Sequence, residues 1–288
     1  MTAISASMVK ELREITGQAM MDCKKALTET DGDLEKAIDL LRKKGKAVLD
    51  KRGGRETKEG RVVGKVSADG KVAVLTSLCS ETDFTAKNEA FQAAAENLAA
   101  SLLQAESVPD SADGIMELAT PQGNKMADIV NDLISQTGEK ITIGEFARFD
   151  LDGPGLLYCY VHFNGKIATM IQINTDQAVT AAEVKTLASD LAMHITAINP
   201  TAACREEIDP QVVAREKDVA ASQISGKPEN MIEQIVNGKL NKWYKQVVLV
   251  EQPFVKDDSK TVQQVIDEVG KAVGSTLKAK RFARIQIG

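Results

Sequence analysis

The first apolar positions of the chain recur at helical intervals. Met8, Leu12 and Ile15 share one helix face, which Ser5 or Ser7 can cap and Gly17 can stop. Met20, Cys23 and Leu27 give a second face. Asp31-Gly32-Asp33 reads as a turn followed by an N-cap, and Leu34, Ala37, Ile38 and Leu41 predict a third helix that Gly45 closes. Three helices this short sit near the lower size limit for independent folding, so their packing must be tight. Met20 and Met21 are adjacent and cannot both face one core. The alternatives are an exposed, adaptable contact surface or partial burial of both against neighbouring helices.

Residues 46–60 carry several Lys and Arg with Gly53-Gly54 and Gly60, a linker helical at its start. No aromatic residues interleave with these charges, so a solvated segment is favoured over nucleic-acid contact. From Arg61 the pattern becomes strand-like. Val62, Val63 and Val66 lead to the hairpin turn Ala68-Asp69-Gly70, and a strand follows over residues 72–78. Phe91, Ala94, Ala95, Leu98 and Leu102 then mark one face of a helix over residues 91–103. Residues 104–124 read as loop. A helix carrying Met126, Ile129, Val130, Leu133 and Ile134 ends at Gly138, and Ile141, Ile143, Phe146 and Phe149 predict a strand.

This unit recurs. Gly70-Lys71-Val72-Ala73 returns 95 residues on as Gly165-Lys166-Ile167-Ala168, and Leu98 matches Leu191 at an offset of 93. Gly138 matches Gly274, and Phe146-Ala147-Arg148 matches Phe282-Ala283-Arg284, both at an offset of 136. The second copy must hold an insertion of about 43 residues, the difference between the last two offsets. Each copy is otherwise strand–strand–helix–helix–strand. The fold class is therefore α+β, an N-terminal three-helix module followed by a duplicated core with mostly antiparallel sheets. The insertion reads as a helical hairpin at about 209–246. Asp209-Pro210 starts one helix through Val212, Val219 and Ile224, Ser225-Gly226-Lys227-Pro228 breaks it, and Ile232, Val236, Leu240 and Trp243 line the other. The narrow stripe suits a projecting arm that grips a partner or braces the fold. The boundaries expected are residues 1–55, 56–150 and 151–288.

The residues between the 72–78 strand and the following helix stand out. In Ser80-Glu81-Thr82-Asp83-Phe84-Thr85-Ala86-Lys87-Asn88, Thr82 or Asp83 can cap a helix, and Phe84 is a large apolar residue among polar ones. Phe84 either folds back onto its own core or leaves the protein as a wedge. This stretch resembles the signature of the elongation factor Ts family. So do the run Leu12-Arg13-Glu14-Ile15-Thr16-Gly17, the run Met20-Met21-Asp22-Cys23-Lys24-Lys25-Ala26-Leu27 and the later Gln252-Pro253-Phe254-Val255. The resemblance covers nearly the whole chain. It implies a ubiquitin-associated (UBA)-like N-terminal module, a coiled-coil hairpin, and exchange of GDP for GTP on elongation factor Tu. It assigns Thr82, Asp83, Phe84 and Thr85 to dislodging the partner's magnesium and puts His162 where it can face the partner; Met20 and Met21 are the further contact candidates, from their adjacency alone. The family usually has Val where this chain has Thr85, and it commonly continues past the last strand with a Gly-Glu-Gly run and a helix. This sequence ends at Gly288.

Composition bears on the alternatives. The net charge of −5 argues against a dedicated nucleic-acid binder. No apolar run approaches the roughly 20 residues that span a bilayer, and the first residues do not read as a signal peptide. Cys23, Cys79, Cys159 and Cys204 form no C-x-x-C pair, which suits reduced thiols in a cytoplasm. His162 and His194 are too isolated for a typical zinc site. Phosphate-loop, nucleophile-elbow and H-E-x-x-H motifs are absent from the sequence. The expectation is an exchange factor with no chemistry, cofactor or metal of its own. Its partner is elongation factor Tu, with no direct nucleic-acid or membrane contact. The competing reading is a UBA-type binding adaptor, which explains residues 5–45 and leaves Phe84 and the hairpin without a role.

Overall fold

The computed structural model describes residues 4–178, 181–224 and 229–288. Helices α1 (Ala6–Thr16), α2 (Met20–Glu29) and α3 (Leu34–Arg52) open the chain. Ser5 caps α1 by accepting the Met8 N–H, Gly17 ends it in the left-handed conformation, and Asp33 caps α3 through the Lys36 N–H. Val9, Leu12, Cys23, Ala26, Leu27, Ala37 and Leu41 form the small core. Two expectations change here. Helix α1 turns Val9 inward and leaves Ile15 exposed. Helix α3 runs past Gly45 to Arg52. A glycine inside a helix costs about 1 kcal/mol relative to Ala. The flanking Lys, Ala and Leu residues favour helix, and Arg52 is held by an ion pair described below.

The first core unit is β1 (Glu59–Val66), β2 (Val72–Ser80), the one-turn α4 (Asp83–Ala86), α5 (Glu89–Gln104), α6 (Ala112–Met116), α7 (Met126–Thr137) and β3 (Thr142–Asp150). Helix α6 occupies part of the expected loop, capped by Ser111. The second unit is β4 (Gly155–Val161), β5 (Ile167–Thr175), α8 (Ala182–Ile198), α9 (Pro210–Ser222), α10 (Glu229–Val247), the short pair β6 (Pro253–Phe254) and β7 (Asp257–Thr261), α11 (Val262–Val273) and β8 (Leu277–Gln286). The sheets run β1-β2-β3 and β4-β5-β8, each antiparallel throughout.

The repeat is geometric as well as sequential. Gly70 and Gly165 close equivalent hairpins at φ of 72° and 67°. Gly138 and Gly274 end equivalent helices at φ of 66° and 67°. Both closing strands bulge at matching places, by Gly144 and Glu145 in β3 and by Lys280 in β8. The repeated arginine has one job in both units. Arg148 Nη1 donates to the Leu102 and Ala105 carbonyls at the end of α5. Arg284 donates to the Thr196 carbonyl near the end of α8 at 3.4 Å. Each satisfies carbonyls that a helix C-terminus leaves orphaned, and each puts a cation at the negative end of the dipole.

Strand β2 is buried on both faces. Val74 and Leu78 meet Phe91, Leu98, Leu102, Val130 and Ile134 from α5 and α7. Ala73 and Leu75 meet Leu157, Ala168, Met170 and Ile285 of the other sheet. Strand β5 mirrors this, with Ile171 and Ile173 packed under α8 and α11. The core is thus four layers, helix, sheet, sheet, helix. At Gly64 a Cβ would lie 3.0 Å from the Cys159 Cβ, so the close approach of the sheets needs glycine there.

Helix α9 is capped by Asp209 with Pro210 in its first turn, as expected, and packs along α10. Its inward face is Val213 and Ala220, whereas Val212 and Val219 are exposed. The predicted stripe is one position off, and Ile224 lies beyond the helix. The Ser225-Gly226-Lys227-Pro228 break lies outside the described residues. The hairpin root is embedded, because Trp243, Tyr244 and Val248 pack with Ala202 and Ile208. His194 completes the root. Its Nδ1 accepts the Val255 N–H at 3.2 Å and its Nε2 donates to Gln252 Oε1 at 2.9 Å, while Gln252 Nε2 donates to the Gln246 carbonyl at 2.6 Å. Burial lowers the His194 pKa against the opposing Gln252 bond. It is a neutral structural histidine.

Replacing residues 214–239 with a short Gly/Ser linker should leave a cooperatively unfolding core by calorimetry. Extending the replacement to 246 removes Trp243 and Tyr244 and should cost about 3–5 kcal/mol of stability, the range for losing a large buried aromatic. Equal stability of the two variants would show that the root packing contributes nothing.

Candidate functional site

The turn between β2 and α5 is built from side-chain caps. Ser80 Oγ donates to the Thr82 carbonyl at 3.0 Å. Thr82 caps α4 by accepting the Thr85 N–H, and Asn88 caps α5 by accepting the Ala90 N–H at 2.8 Å. Two caps six residues apart send the chain around a tight corner. Thr85 and Ala86 face inward and are buried. Phe84, the residue before them, points out and is 83% exposed. It does not fold back onto its own core.

Two carboxylates lock this corner. Glu139 accepts both the Thr82 hydroxyl at 2.6 Å and the Thr82 N–H at 3.1 Å. Glu81, whose side chain is nearly buried, accepts Arg52 Nη1 at 3.0 Å, Arg55 Nη1 at 2.8 Å and the Lys140 N–H at 2.7 Å. Burial opposes ionisation of Glu81. The Lys140 N–H and the two guanidinium groups outweigh it and hold the carboxyl down to about 2. Part of the basic 46–60 segment is therefore paired and tied to the corner, not merely solvated. At the corner's surface Lys87 Nζ sits 2.7 Å from Asp83 Oδ2. That bond lowers the Asp83 pKa, so Asp83 stays charged and half-exposed beside Phe84.

A second turn shares the corner's surface. Asp83, Ala86 and Lys87 line one cavity together with Asn164, Gly165 and Lys166 of the β4–β5 turn. His162 begins that turn, half-buried, with its Nδ1 3.0 Å from the Tyr160 hydroxyl. Its ring lies 4.4 Å from that of Phe163. The structure thus brings Thr82, Asp83, Phe84 and Thr85 to the same region as the His162 turn. Met20 and Met21 lie elsewhere, on α2, and both are exposed at 54% and 61%. Each is more exposed than covered. The α1–α3 helices rest on α7, where Gln136 Nε2 donates to the Thr16 carbonyl at 2.8 Å.

The sequence reading missed Glu81, Glu139 and Phe163. Glu81 stood inside the signature, but its partners lie far away in sequence. Comparison of the two repeat copies could have flagged Phe163. Burial pushes the Cys159 thiol up to about 12, so no thiolate forms there near neutral pH. Among the described residues no helix is long and apolar enough to cross a membrane.

Known proteins with this pattern settle the family. The family model described as elongation factor TS matches residues 81–288, from Glu81 of the corner to the last strand. The chain belongs to the elongation factor Ts family. It is 42% identical over 290 residues to elongation factor Ts of Nitratidesulfovibrio vulgaris strain DP4, covering 99% of this chain and 96% of that protein. It is 41% identical over 292 residues to elongation factor Ts of Trichlorobacter lovleyi, covering 99% and 93%. The corresponding protein of Clostridium botulinum strain Alaska E43 is 41% identical over 290 residues, with the same coverage. Membership in the elongation factor Ts family places the chain among the translation factors of protein biosynthesis.

Two measurements on the free protein check the corner. Phe84→Ala should change stability by no more than about 0.5 kcal/mol, as surface substitutions do. A buried Phe would cost about 3–5 kcal/mol. Glu81→Gln should destabilise at pH 7 by roughly 1.5–3 kcal/mol, the scale of hydrogen bonds to a charged group. The Glu81 pKa is depressed by folding, so its contribution is full above its ordinary 4.5 and is lost as pH falls towards about 2. The wild type should therefore lose stability over that window and the variant lose less. Parallel acid limbs would show that Glu81 is not the group that titrates.

Proposed function

We propose that this protein is a guanine-nucleotide exchange factor for elongation factor Tu, acting by mechanics and not by chemistry of its own. The observation that carries this reading is Phe84, 83% exposed on a corner held by two anchored carboxylates. A rigid exposed aromatic can enter a partner without first paying the entropy of ordering its own loop. Phe84 is the wedge. Asp83 supplies a charge beside it. Thr82 and Thr85 act from inside the turn, as cap and packing, and set the direction of the wedge.

Exchange follows from linkage. GDP bound to a GTPase depends on magnesium and on the loops around the phosphates. A factor that fits the nucleotide-free state better must weaken GDP binding, and incoming nucleotide must equally weaken the factor. The wedge acts on the partner's magnesium site, and the factor holds no metal. Residues 1–55, a UBA-like module with its linker, carry Met20 and Met21 as adaptable contacts. Residues 56–150 and 151–288 form the two core units, and the α9–α10 pair is a coiled-coil hairpin that reaches out as an arm. This mode of action belongs in the cytoplasm, with no direct nucleic-acid contact.

The exposure of Met20 and Met21 favours a second reading, a binding adaptor that uses the N-terminal module alone. The test mixes the protein with elongation factor Tu carrying labelled GDP and follows release. Phe84→Ala should form the complex but slow stimulated release roughly tenfold to hundredfold, a loss of about 1.4–3 kcal/mol in that step. Asp83→Ala should show the same pattern more weakly. The adaptor reading predicts instead that replacing Met20 and Met21 by Ser abolishes binding, while wild type and Phe84→Ala leave GDP release unstimulated.

A further inference from the structure

Phe163 is 92% exposed, more than any other exposed large apolar residue described. Single exposed apolar side chains are ordinary and carry no meaning alone. Two further observations give this one meaning. The first is the internal repeat. Phe163 stands two residues before Gly165, and the equivalent residue before Gly70 is Ala68. Both turns close the same way, with Gly70 N–H on the Ser67 carbonyl at 2.9 Å and Gly165 N–H on the His162 carbonyl at 2.8 Å. The turn therefore does not need an aromatic, since its twin folds with Ala.

The second observation is position. The Phe163 turn belongs to the second unit but is pinned to the first. The Val62 N–H donates to the Gly165 carbonyl at 2.8 Å, and Lys166 Nζ lies 2.6 Å from Glu59 Oε2. It thereby lines one cavity with the Asp83–Ala86 helix that carries Phe84. That cavity also holds an unbalanced cation. Lys87 pairs with Asp83 and Lys166 with Glu59. Arg61 has no carboxylate partner among the described residues, and its buried Nε has no hydrogen-bond acceptor. The Nε itself is closed to solvent, so what the cavity offers an incoming carboxylate is its one excess cation, Lys87, Lys166 and Arg61 against Asp83 and Glu59.

We propose that Phe163 and Arg61 form a second contact for the same partner that Phe84 enters, receiving an apolar side chain beside a carboxylate on that GTPase. The proposal rests on the exchange-factor reading for the identity of the partner. The two aromatics divide the work. Phe84 acts on the nucleotide site and governs how fast GDP leaves. Phe163 and Arg61 hold the complex and govern how much factor is needed.

The test uses the full chain with nucleotide-free elongation factor Tu for affinity and the GDP-loaded form for release. Phe163→Ala and Arg61→Ala should each raise the dissociation constant about tenfold, which corresponds to 1.4 kcal/mol. The maximal release rate at saturating factor should stay at the wild-type value, and Phe163→Leu should recover part of the affinity. Phe163→Ala should melt with the wild type, so a folding defect in the arginine variant leaves the aromatic arm decisive. Wild-type affinity for Phe163→Ala overturns the proposal, as does a fall in maximal rate with affinity unchanged. A wild type that binds without speeding release defeats the exchange reading and leaves the affinity comparison standing. A wild type that forms no complex defeats both.

Discussion

A three-stranded sheet has two faces, and each unit of this core supplies helices for only one of them. The second face of β2, with Ala73 and Leu75, and the second face of β5, with Ala168 and Met170, must be covered by something else. They cover each other. Burial of apolar area is the main favourable term in folding, and neither unit can complete it alone. The duplication thus makes one double-sheet core and not two independent domains in tandem. Arg281 adds a polar clasp between the units, donating to Gln172 in its own sheet and to the Asp150 carbonyl in the other, over the Phe149 ring.

That constraint determines where an exposed aromatic can stand. The corner after β2 leaves the double-sheet core at the point where the chain must turn onto α5, and both its ends are fixed by packing. Glu81 and Glu139 then remove the remaining freedom. Taking a carboxylate such as Glu81 out of water is costly, and leaving it unpaired would cost more. Arg52, Arg55 and the Lys140 N–H together make the ionised form the stable one. The same contacts bind the end of α3 to the corner, so the N-terminal helices are linked to the base of the wedge.

Much of this was legible in the sequence because it is local. The left-handed glycines at 17, 70, 138, 165 and 274 punctuate the chain, and the offsets of Gly70 to Gly165, Leu98 to Leu191 and Gly138 to Gly274 reveal the repeat and the size of its insertion. The Phe91 to Leu102 stripe was read correctly because both edges of that helix are buried. The errors came where burial is one-sided. Periodicity defines an apolar stripe but not which edge a neighbour covers, so it points to Ile15 and Val212 where the structure turns Val9 and Val213 inward. Long-range pairs left no local trace. Nothing near Arg52 indicates Glu81, and nothing near Thr82 indicates Glu139.

The repeat also separates what folding requires from what it does not. Positions that keep their residue type in both copies are structural, as with Arg148 and Arg284 on the ends of α5 and α8. A position that differs while its backbone stays the same is released from that duty. Ala68 and Phe163 are such a pair. The exits of the two central strands are anchored alike, Thr82 on Glu139 just after the helix-ending Gly138 and Asp176 on Ser275 just after the helix-ending Gly274. The first of these anchored exits carries Phe84 into solvent. The anchors of the corner are Glu81, Thr82 and Glu139 and use no part of the Phe84 ring, so folding does not account for an aromatic there.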